Sequence, residues 1–395
     1  MPPMPFEPSR WAGRPVWAEI DLDAIAHNLA LLAARAAPAR VIAVVKANAY
    51  GHGAVAVART ALAAGARGLA VVCVDEGEEL RRAGVTAPVV VLGHTPAADA
   101  ERVAALGLEP AVGSLELVEA LAAAASRHGV EVPIHLEVET GFNRHGLPPD
   151  EVVALAERAR ALPGLRVKAL FTHFATADEE DQGFTRAQFD LLREASRRLP
   201  WIEERHCSAS AGVLLAPDLT VETVRPGIAL YGYHPASGWA PRVDLRPALA
   251  LRSRITRLSD IPPGASVGYG RTFVARRPTR LALVMCGYAD GYRRGLGNRA
   301  HALVRGRRAP VVGRVSMDMC TLDVTEVPGV ALGDVATLLG ADGGERVDAD
   351  ELAALEETIS YEIVAGVSAR VPRLYLRGGQ VVEVSTLTGR EPHDV

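Results

Sequence analysis

The sequence predicts a (β/α)8 barrel, the TIM-barrel class of α/β fold, followed by a mostly β C-terminal domain. From residue 41, short β-branched runs alternate with helix-like runs rich in Ala, Leu, Glu and Arg. Eight such strands precede residue 240, each too apolar to be half exposed, as buried parallel strands are. After about residue 240 helical runs become rare, and strand-like runs punctuated by Gly, Pro and Asp take over, which is typical of a separate β domain.

The barrel elements follow one another at short intervals. Asp23 is positioned to cap the first helix. A doubly wound open sheet is the alternative, but that fold usually has fewer strands and a Gly-x-Gly-x-x-Gly motif that is missing here. The predicted strands are residues 41–46, 69–74, 88–93, 108–112, 132–139, 166–173, 203–208 and 221–224, and predicted helices include 24–36, 75–83, 114–128, 150–161 and 183–198.

The second domain is predicted from its strand-like runs and one helix, Asp348 to Glu356. We expect the barrel domain to span 14–243 and the β domain 244–390, with 14–20 as a possible strand of the β domain. The residues after Leu387 look like a frayed tail. The predicted strands are 248–256, 266–274, 280–285, 301–304, 310–314, 318–324, 334–338 and 379–384.

The composition narrows the class of protein. The 395 residues carry a net charge of −4 without a large basic cluster, so nucleic acid and anionic membrane are poor partners. Four scattered cysteines indicate reduced thiols in a cytoplasmic protein. We expect no metal site, no signal peptide at the N-terminus and no membrane span, since no apolar stretch is long enough.

The first barrel strand ends on a lysine, Lys46, before a loop with two glycines. A desolvated lysine loses its proton easily, and a neutral amine is what Schiff-base chemistry requires. Among 43 Lys and Arg residues only Lys46 and Lys168 are lysines, so arginine is a poor substitute where they stand. The simpler interpretation is a strand-end lysine that extends into solvent.

Polar residues gather at the carboxyl ends of the later strands, where barrel enzymes place their functional groups. Arg225 and Gly227 follow the eighth strand and open a short helix, and Ser210 follows the seventh. Backbone N–H groups at a helix start, with a hydroxyl nearby, favour a phosphate. His173 ends the sixth strand; alone, such a histidine is more often structural.

These motifs resemble those of the alanine racemases, and the resemblance covers nearly the whole chain. The stretch 44–53, Val-Val-Lys-Ala-Asn-Ala-Tyr-Gly-His-Gly, is similar to the lysine motif that holds pyridoxal 5'-phosphate (PLP) in that family. Residues 172–178 and 224–228 match two further blocks. The resemblance implies a PLP-dependent isomerase with Arg225 on the pyridine nitrogen. It implies these cofactor-binding residues: Lys46, Tyr50, His173, Ser210, Arg225, Gly227 and Ile228.

Racemisation needs two acid–base groups, one on each face of the substrate Cα. Lys46 supplies one, and the resemblance of residues 267–270 to a family block implies Tyr269 as the other. Family precedent brings this tyrosine from a second subunit, which implies a homodimer with shared active sites. The resemblance also implies that Arg144 and the Met317 backbone N–H bind the substrate carboxylate, and that Tyr288 lines the entrance.

Asp318 adjoins Met317 and is expected to be a supporting residue. Two other positions depart from the family pattern. Glu137 stands where many alanine racemases have a carbamylated lysine; it is already anionic and can orient Arg144. Ala369 stands where the family usually has a tyrosine that bonds the phosphate and walls the pocket. Relatives with a small residue there tend to accept larger amino acids.

The resemblance implies interconversion of L- and D-alanine, a small amino-acid substrate, by two bases, supplying D-alanine for peptidoglycan. The alternative is a broad-specificity amino-acid racemase with an enlarged pocket at Ala369 and Glu137. A PLP-binding protein without catalysis would lack residues 250–395. A basic amino-acid decarboxylase would need an acidic residue in place of Arg225.

Overall fold

The computed structural model describes residues 14–236 and 243–392. The chain divides into two compact units. The barrel unit comprises Ala24–Ala49 and Ala54–Arg246. The β unit comprises the described residues up to Asp23, the short segment Tyr50–Gly53, and the described residues from Pro247 onward.

The barrel unit contains a closed ring of eight parallel strands. The first and last strands of the ring pair in parallel, Arg40 opposite Thr223 and Val41 opposite Val224. The predicted TIM barrel is confirmed, and the open-sheet alternative is wrong. After β1, Val16–Asp21, which belongs to the β unit, the ring strands are β2 Arg40–Val44, β3 Gly68–Val71, β4 Val89–Val91, β5 Glu109–Val112, β6 Val132–Glu137, β7 Leu165–Phe171, β8 Glu204–His206 and β9 Thr223–Val224.

Helices separate the barrel strands, and the five predicted from sequence lie within two residues of their observed ends. Three others were given no bounds from the sequence: Ala54–Ala63, Ala100–Leu106 and Ser210–Leu215. The last two have only seven and six residues, which give too little periodicity. None of the described helices combines the length and apolar character needed to cross a membrane. The helices are α1 Leu22–Ala36, α2 Ala54–Ala63, α3 Val74–Arg82, α4 Ala100–Leu106, α5 Leu115–His128, α6 Pro149–Arg160, α7 Gly183–Arg198 and α8 Ser210–Leu215.

The β unit is built on a sheet of eleven strands with the path β15-β14-β17-β10-β1-β19-β20-β21. Its remaining strands β13, β16 and β18 branch from that path, and β11 pairs with β12 alone. The elements are β10 Leu249–Ile261, β11 Ser266–Val267, β12 Phe273–Val274, β13 Thr279–Val284, β14 His301–Val304, β15 Arg307–Pro310, β16 Cys320–Asp323, β17 Val335–Asp342, β18 Glu345–Val347, α9 Ala349–Leu355, α10 Ser360–Ala365, β19 Arg373–Arg377, β20 Gln380–Thr386 and β21 Gly389–Pro392.

Strand β1 lies in the middle of this sheet. It pairs antiparallel with β10 and parallel with β19, so Ala18 lies opposite both Leu251 and Arg373. Trp17 on the same strand is buried with Leu374 in an apolar cluster. The strand therefore ties the N-terminal residues to the last third of the chain.

Three predictions about the β unit are wrong. The strand expected at 310–314 is instead β15, which ends at Pro310, where the predicted strand begins. The run 266–274 is two short strands, β11 and β12, joined by a turn that contains Tyr269. Gly268 and Gly270, with φ of +69° and +71°, allow this reversal. The expected frayed tail after Leu387 instead forms β21, which pairs antiparallel with β20. That pairing depends on the neighbouring strand, which the local composition does not reveal.

The β unit makes a test of glycine packing possible. A Cβ at Gly53 would lie 1.8 Å from the Tyr375 hydroxyl, and φ is +98°. Gly53→Ala should lower the free energy of unfolding by about 1–2 kcal/mol for the left-handed backbone and by about 1–3 kcal/mol more for overpacking. Urea denaturation would measure it.

Gly264→Ala is the matched control, because Gly264 has φ of +86° and nothing within 4 Å of the added Cβ. This substitution should lower the free energy of unfolding by the backbone contribution alone. Adding Tyr375→Phe to Gly53→Ala should recover part of the loss. Equal losses for the two glycines would contradict the close contact.

Candidate active site

Lys46 lies two residues after Val44, the last residue of β2, and is half-buried. The four residues after it, Ala47 to Tyr50, all have left-handed backbone conformations with φ of +52° or +53°. Such a conformation costs an L-residue roughly 1–2 kcal/mol. Four in succession form a strained turn, which persists only where the surroundings hold it.

Side chains of the barrel unit hold the first part of this turn. The Glu76 carboxylate accepts the Ala47 N–H at 2.6 Å and the Val72 N–H at 2.8 Å. The Asn48 Oδ1 accepts the Ala54 N–H at 2.8 Å. Because these bonds fix the backbone on both sides of the turn, they fix the start of the Lys46 side chain.

The segment Tyr50–Gly53 is held within the β unit. The buried Arg373 guanidinium donates to the Gly51 carbonyl oxygen from Nε at 3.1 Å and from Nη2 at 3.0 Å. The Tyr50 ring lies 6.1 Å from the Tyr361 ring, centroid to centroid. A Cβ at Gly51 would lie 2.2 Å from the Val364 carbonyl oxygen, so only glycine fits there.

The environment of Lys46 favours the uncharged amine. Burial and then the charges of Arg144 and Arg225 lower its pKa from 10.5, while Glu76 acts in the opposite direction. A neutral amine is a nucleophile and a base, whereas an ammonium is neither. The site therefore presents a reactive amine at the end of the first barrel strand.

Arg225 follows β9 and is buried. Its Nη2 donates to the Thr172 carbonyl oxygen at 2.7 Å. The next residue, His173, has its pKa lowered to about 3 by burial and then by the charges of Arg225, Arg144 and Lys46. Its Nδ1 is buried and makes no hydrogen bond within the part of the chain that the structure describes. His173 is therefore a neutral ring next to the buried arginine.

The Ser210 hydroxyl joins the loop after β9. Its oxygen accepts the Gly227 N–H at 2.9 Å and the Ala229 N–H at 3.1 Å. Ile228 begins a short 3-10 helix and is buried, as is Ser210. With both N–H groups directed at one oxygen, the hydroxyl proton remains available to an anion.

The loop after β6 carries Arg144. The Glu139 carboxylate folds this loop by accepting the Gly141 N–H and, at 2.7 Å, the Asn143 N–H. The exposed Arg144 guanidinium lies 4.2 Å from the Phe142 ring centroid. This loop therefore holds the arginine over an aromatic face.

Glu137 ends β6 and is half-buried. Burial raises its pKa, and the charges of Arg225 and Arg144 oppose that shift. Among the described residues, no ion pair joins Glu137 to Arg144. Arg144 therefore acts on Glu137 through its electrostatic field and not through a direct contact.

The β unit exposes three predicted site residues. Tyr269, Met317 and Tyr288 are 72%, 53% and 42% exposed. The Tyr288 N–H donates to the Ser316 carbonyl oxygen at 3.0 Å, so the loops of Tyr288 and Met317 lie side by side. Tyr269 projects from the separate turn between β11 and β12.

Asp290, to which we assigned no role from the sequence, organises this part of the β unit. Its buried carboxylate accepts from Arg14 Nη1 and Arg370 Nε, each at 2.8 Å, and from the Gly287 N–H at 3.0 Å. Arg370 also bonds Asp318 at 2.7 Å. Exposed Ala369 immediately precedes Arg370. Nothing local in the sequence distinguishes Asp290 from an ordinary turn aspartate.

Comparison with known proteins identifies the class. Residues 20–235 match the model of the alanine racemase N-terminal domain, and residues 248–375 match that of the C-terminal domain. The alanine racemase of Symbiobacterium thermophilum is 45% identical over 373 residues, 93% of this chain and 98% of that protein. That of Desulfosudis oleivorans is 42% identical over 377 residues, 92% and 97% of the two chains.

Solved structures agree with this result. Alanine racemase from Bacillus anthracis with bound L-Ala-P has a TM-score of 0.88 and 35% identity, covering 97% of this chain and 99% of that one. Alanine racemase from Clostridium difficile 630 has a TM-score of 0.90 and 33% identity, covering 94% and 98%. The chain belongs to the alanine racemase family, as its motifs predict.

The family depends on PLP, and the residues present fit that cofactor. An aldehyde needs a neutral amine, which burial and two arginines provide at Lys46. A phosphate needs donors at a glycine-containing turn, and the Ser210 hydroxyl, whose oxygen accepts the Gly227 N–H, can supply one. The buried Nδ1 of His173, which has no hydrogen-bond partner among the described residues, is a polar atom that a bound cofactor could meet.

The Asp290 carboxylate is a second point at which the structure can be tested. Asp290→Ala removes the acceptor shared by Arg14, Arg370 and the Gly287 N–H and leaves Arg370 with Asp318 alone, so the free energy of unfolding should fall by roughly 3–5 kcal/mol. Glu326→Ala is the control, because Glu326 makes an exposed ion pair with Arg277 and should cost less than about 1 kcal/mol. Similar losses in both variants would refute the organising role of Asp290.

Proposed function

We propose that the protein interconverts L- and D-alanine with PLP, as an isomerase that supplies D-alanine for peptidoglycan. The observation that carries this proposal is the half-buried Lys46 amine, whose pKa burial, Arg144 and Arg225 lower together. The close relatives named alanine racemase support alanine as the substrate. We infer a cytoplasmic location, with nucleic acid and membrane excluded as partners.

Bound PLP supplies an electron-withdrawing ring that acidifies the substrate Cα–H. We propose that Lys46 holds the cofactor covalently, while Ser210, Gly227, Ile228 and Tyr50 surround its phosphate and His173 lies against its ring. Arg225 would donate to the pyridine nitrogen. An arginine is always charged and never accepts a hydrogen bond, so that nitrogen would stay unprotonated. A weaker electron sink favours return of the proton to Cα and disfavours transamination.

Proton transfer is assigned to two bases. Lys46 would hold the proton on one face of Cα and Tyr269 on the other, since one base returning its own proton would mostly retain configuration. Arg144 and the Met317 N–H would bind the substrate carboxylate, with Tyr288 at the entrance and Asp318 in support. Glu137 would replace the carbamylated lysine as the anion near Arg144.

We infer a homodimer with shared sites from the exposure of Tyr269, Met317 and Tyr288. Large side chains are rarely presented to water in this way unless a partner covers them. In a head-to-tail dimer, these three residues of each subunit would lie near Lys46 of the other subunit. We also propose domain boundaries at 14–243 and 244–390, with residues 14–20 contributing a strand to the β domain.

Mixing two inactive variants tests the bases and the dimer together. Lys46→Ala and Tyr269→Phe should each abolish racemisation of alanine, measured by chiral chromatography. After dissociation and reassociation of equal amounts, half of the dimers are hybrids with one intact site. About a quarter of wild-type activity should return.

The control for this mixture pairs Lys46→Ala with the double variant Lys46→Ala, Tyr269→Phe, which creates no intact site and should stay inactive. No recovery in the test mixture, with hybrid dimers shown by mass spectrometry, would place each site within one chain. Near-normal turnover by Tyr269→Phe alone would mean that another residue is the second base.

A broad-specificity racemase is the second candidate, favoured by Ala369. A tyrosine at this position would bury about 150 Å² or more, so alanine leaves room for a longer substrate. The backbone around it is fixed, because the Ser368 carbonyl oxygen accepts from Arg373 at 2.9 Å and Arg370 bonds Asp290. A side chain at position 369 can therefore change without rearranging its loop.

We predict measurable racemisation of serine and of at least one larger amino acid alongside alanine, since each buried methylene contributes about 0.8 kcal/mol. Ala369→Tyr should narrow this range and tighten PLP binding by about 0.5–1.5 kcal/mol through one added hydrogen bond. Ala331→Tyr, at an exposed loop position, is the control. A wild-type enzyme already strict for alanine, unchanged by Ala369→Tyr, would refute the enlarged pocket.

A further inference from the structure

The barrel contains a buried chain of titratable side chains that the mechanism above does not use. Lys168 Nζ lies 2.9 and 2.7 Å from the two Glu109 carboxylate oxygens. His135 Nε2 lies 3.1 Å from Glu109 Oε2, and His135 Nδ1 lies 2.9 Å from His206 Nε2. Lys168 is the second of the two lysines in the sequence. Its contact with Glu109 gives this lysine a structural role within the series of side chains.

The contacts show that the chain runs through the inside of the barrel. Glu109 on β5 bonds Lys168 on β7, and His135 on β6 bonds His206 on β8. Both of these contacts skip one strand, which side chains of a closed barrel do on its inner face, while Glu109 and His135 lie on neighbouring strands. Glu109 begins β5 and His206 ends β8, so the chain leads towards the carboxyl ends of the strands.

Arg225 lies at that end of the chain. Its Nη2 lies 3.4 Å from the carbonyl oxygen of Cys207, the residue after His206. The Phe171 ring stacks on the His206 ring at 4.7 Å and 12°, and Arg225 Cζ is 5.4 Å from the centroid of the same Phe171 ring. Burial and then the Arg225 charge lower the pKa of His206 well below its usual value, so this imidazole is neutral.

The positions of the protons follow from the Glu109 end. Burial acts to raise the pKa of Glu109, but the hydrogen bond from His135 and the hydrogen bonds and charge of Lys168 outweigh it and hold the pKa at about 2. The carboxylate only accepts, so His135 Nε2 must donate. Lys168 already balances the carboxylate charge, which leaves His135 neutral with a bare Nδ1. That nitrogen can only accept, so His206 Nε2 carries a proton and His206 Nδ1 a lone pair.

The opposite tautomer of His206, with the proton on Nδ1, is unfavourable. It would require a charged His135 in a barrel that already holds Lys168 and Arg225. It would also turn His206 Nδ1 into a buried N–H donor near the Arg225 charge. That nitrogen is buried and has no hydrogen-bond partner among the described residues, and an unmet donor there would cost stability.

We propose that Glu109 and His135 are positioning residues that fix His206 as its Nε2–H tautomer, so that Nδ1 presents a lone pair and not an N–H dipole in the field of the Arg225 charge, which stabilises the guanidinium in its position. The assignment of the tautomer rests on the barrel contacts and the Glu109 charge, and does not depend on the proposed function. Its importance for racemisation rests on the proposed function, in which Arg225 contacts the cofactor ring.

The tautomer is directly measurable by 15N NMR of the holoenzyme with labelled histidine, with the His206 signals assigned by their loss in His206→Gln. In the wild-type protein His206 Nδ1 should show the chemical shift of an unprotonated ring nitrogen. Glu109→Gln removes the fixed acceptor, so His206 Nδ1 should shift towards the protonated value.

Glu204→Gln is the matched control. Glu204 is also a buried barrel carboxylate, but it accepts from Thr223 Oγ1 at 2.7 Å and pairs with Arg40 outside the chain. It should leave the His206 signals unchanged. A protonated Nδ1 in the wild-type spectrum, or a Glu109→Gln spectrum identical to wild type, would overturn the proposal, and the wild-type spectrum decides even where Glu109→Gln does not fold.

Kinetic measurements then test separately whether the His206 tautomer positions Arg225 and whether the protein is a racemase. Glu109→Gln should lower kcat by about 10-fold with little change in KM, because Arg225 is displaced and the substrate contacts are not. Unchanged kcat despite a shifted His206 signal would overturn the positioning role. A wild-type protein with the expected tautomer but no racemase activity would instead refute the proposed function, and with it the role in catalysis.

Discussion

The structure depends on an environment that lowers the pKa of one amine, Lys46, through burial and the charges of two arginines. Lys46 stands where burial, Arg144 and Arg225 all disfavour its protonated form. Glu76 would favour the ammonium, but its carboxylate oxygens accept backbone N–H groups at 2.6 and 2.8 Å. Arginine is suited to the neighbouring positions because it stays charged at any physiological pH. The same two charges also act on His173, so a single electrostatic arrangement sets the protonation of both groups.

The left-handed turn after Lys46 is the structural cost of this placement. Four residues from Ala47 to Tyr50 are held in a conformation that L-residues avoid. Hydrogen bonds from Glu76 and Asn48 restrain the beginning of the turn. Beyond it, Gly51 and Gly53 pack so closely that a Cβ would overlap their neighbours. A turn restrained in this way gives Lys46 little freedom to move, as preorganised catalysis requires.

Much of the fold could be predicted from the sequence, because a barrel repeats one apolar pattern eight times. The ends of those strands also located Lys46, His173 and Arg225. The left-handed turn could not be predicted, since alanine gives no local signal for it and tertiary contacts impose it. The turn that carries Tyr269 was mistaken for a strand, although the glycines at 268 and 270 were a signal. Asp290 and strand β21 depend on partners distant in sequence, which local patterns do not contain.

The most direct measurement uses the fact that the chain has only two lysines. The protein is incubated with PLP at a series of pH values, reduced with borohydride and digested, and the pyridoxyl group is located by mass spectrometry. We predict labelling of Lys46 with a half-maximal pH well below 10.5, because its environment lowers the pKa from that value. Labelling of Lys168 instead, or labelling of Lys46 only near or above pH 10.5, would contradict the claim that the site maintains a neutral, cofactor-binding amine.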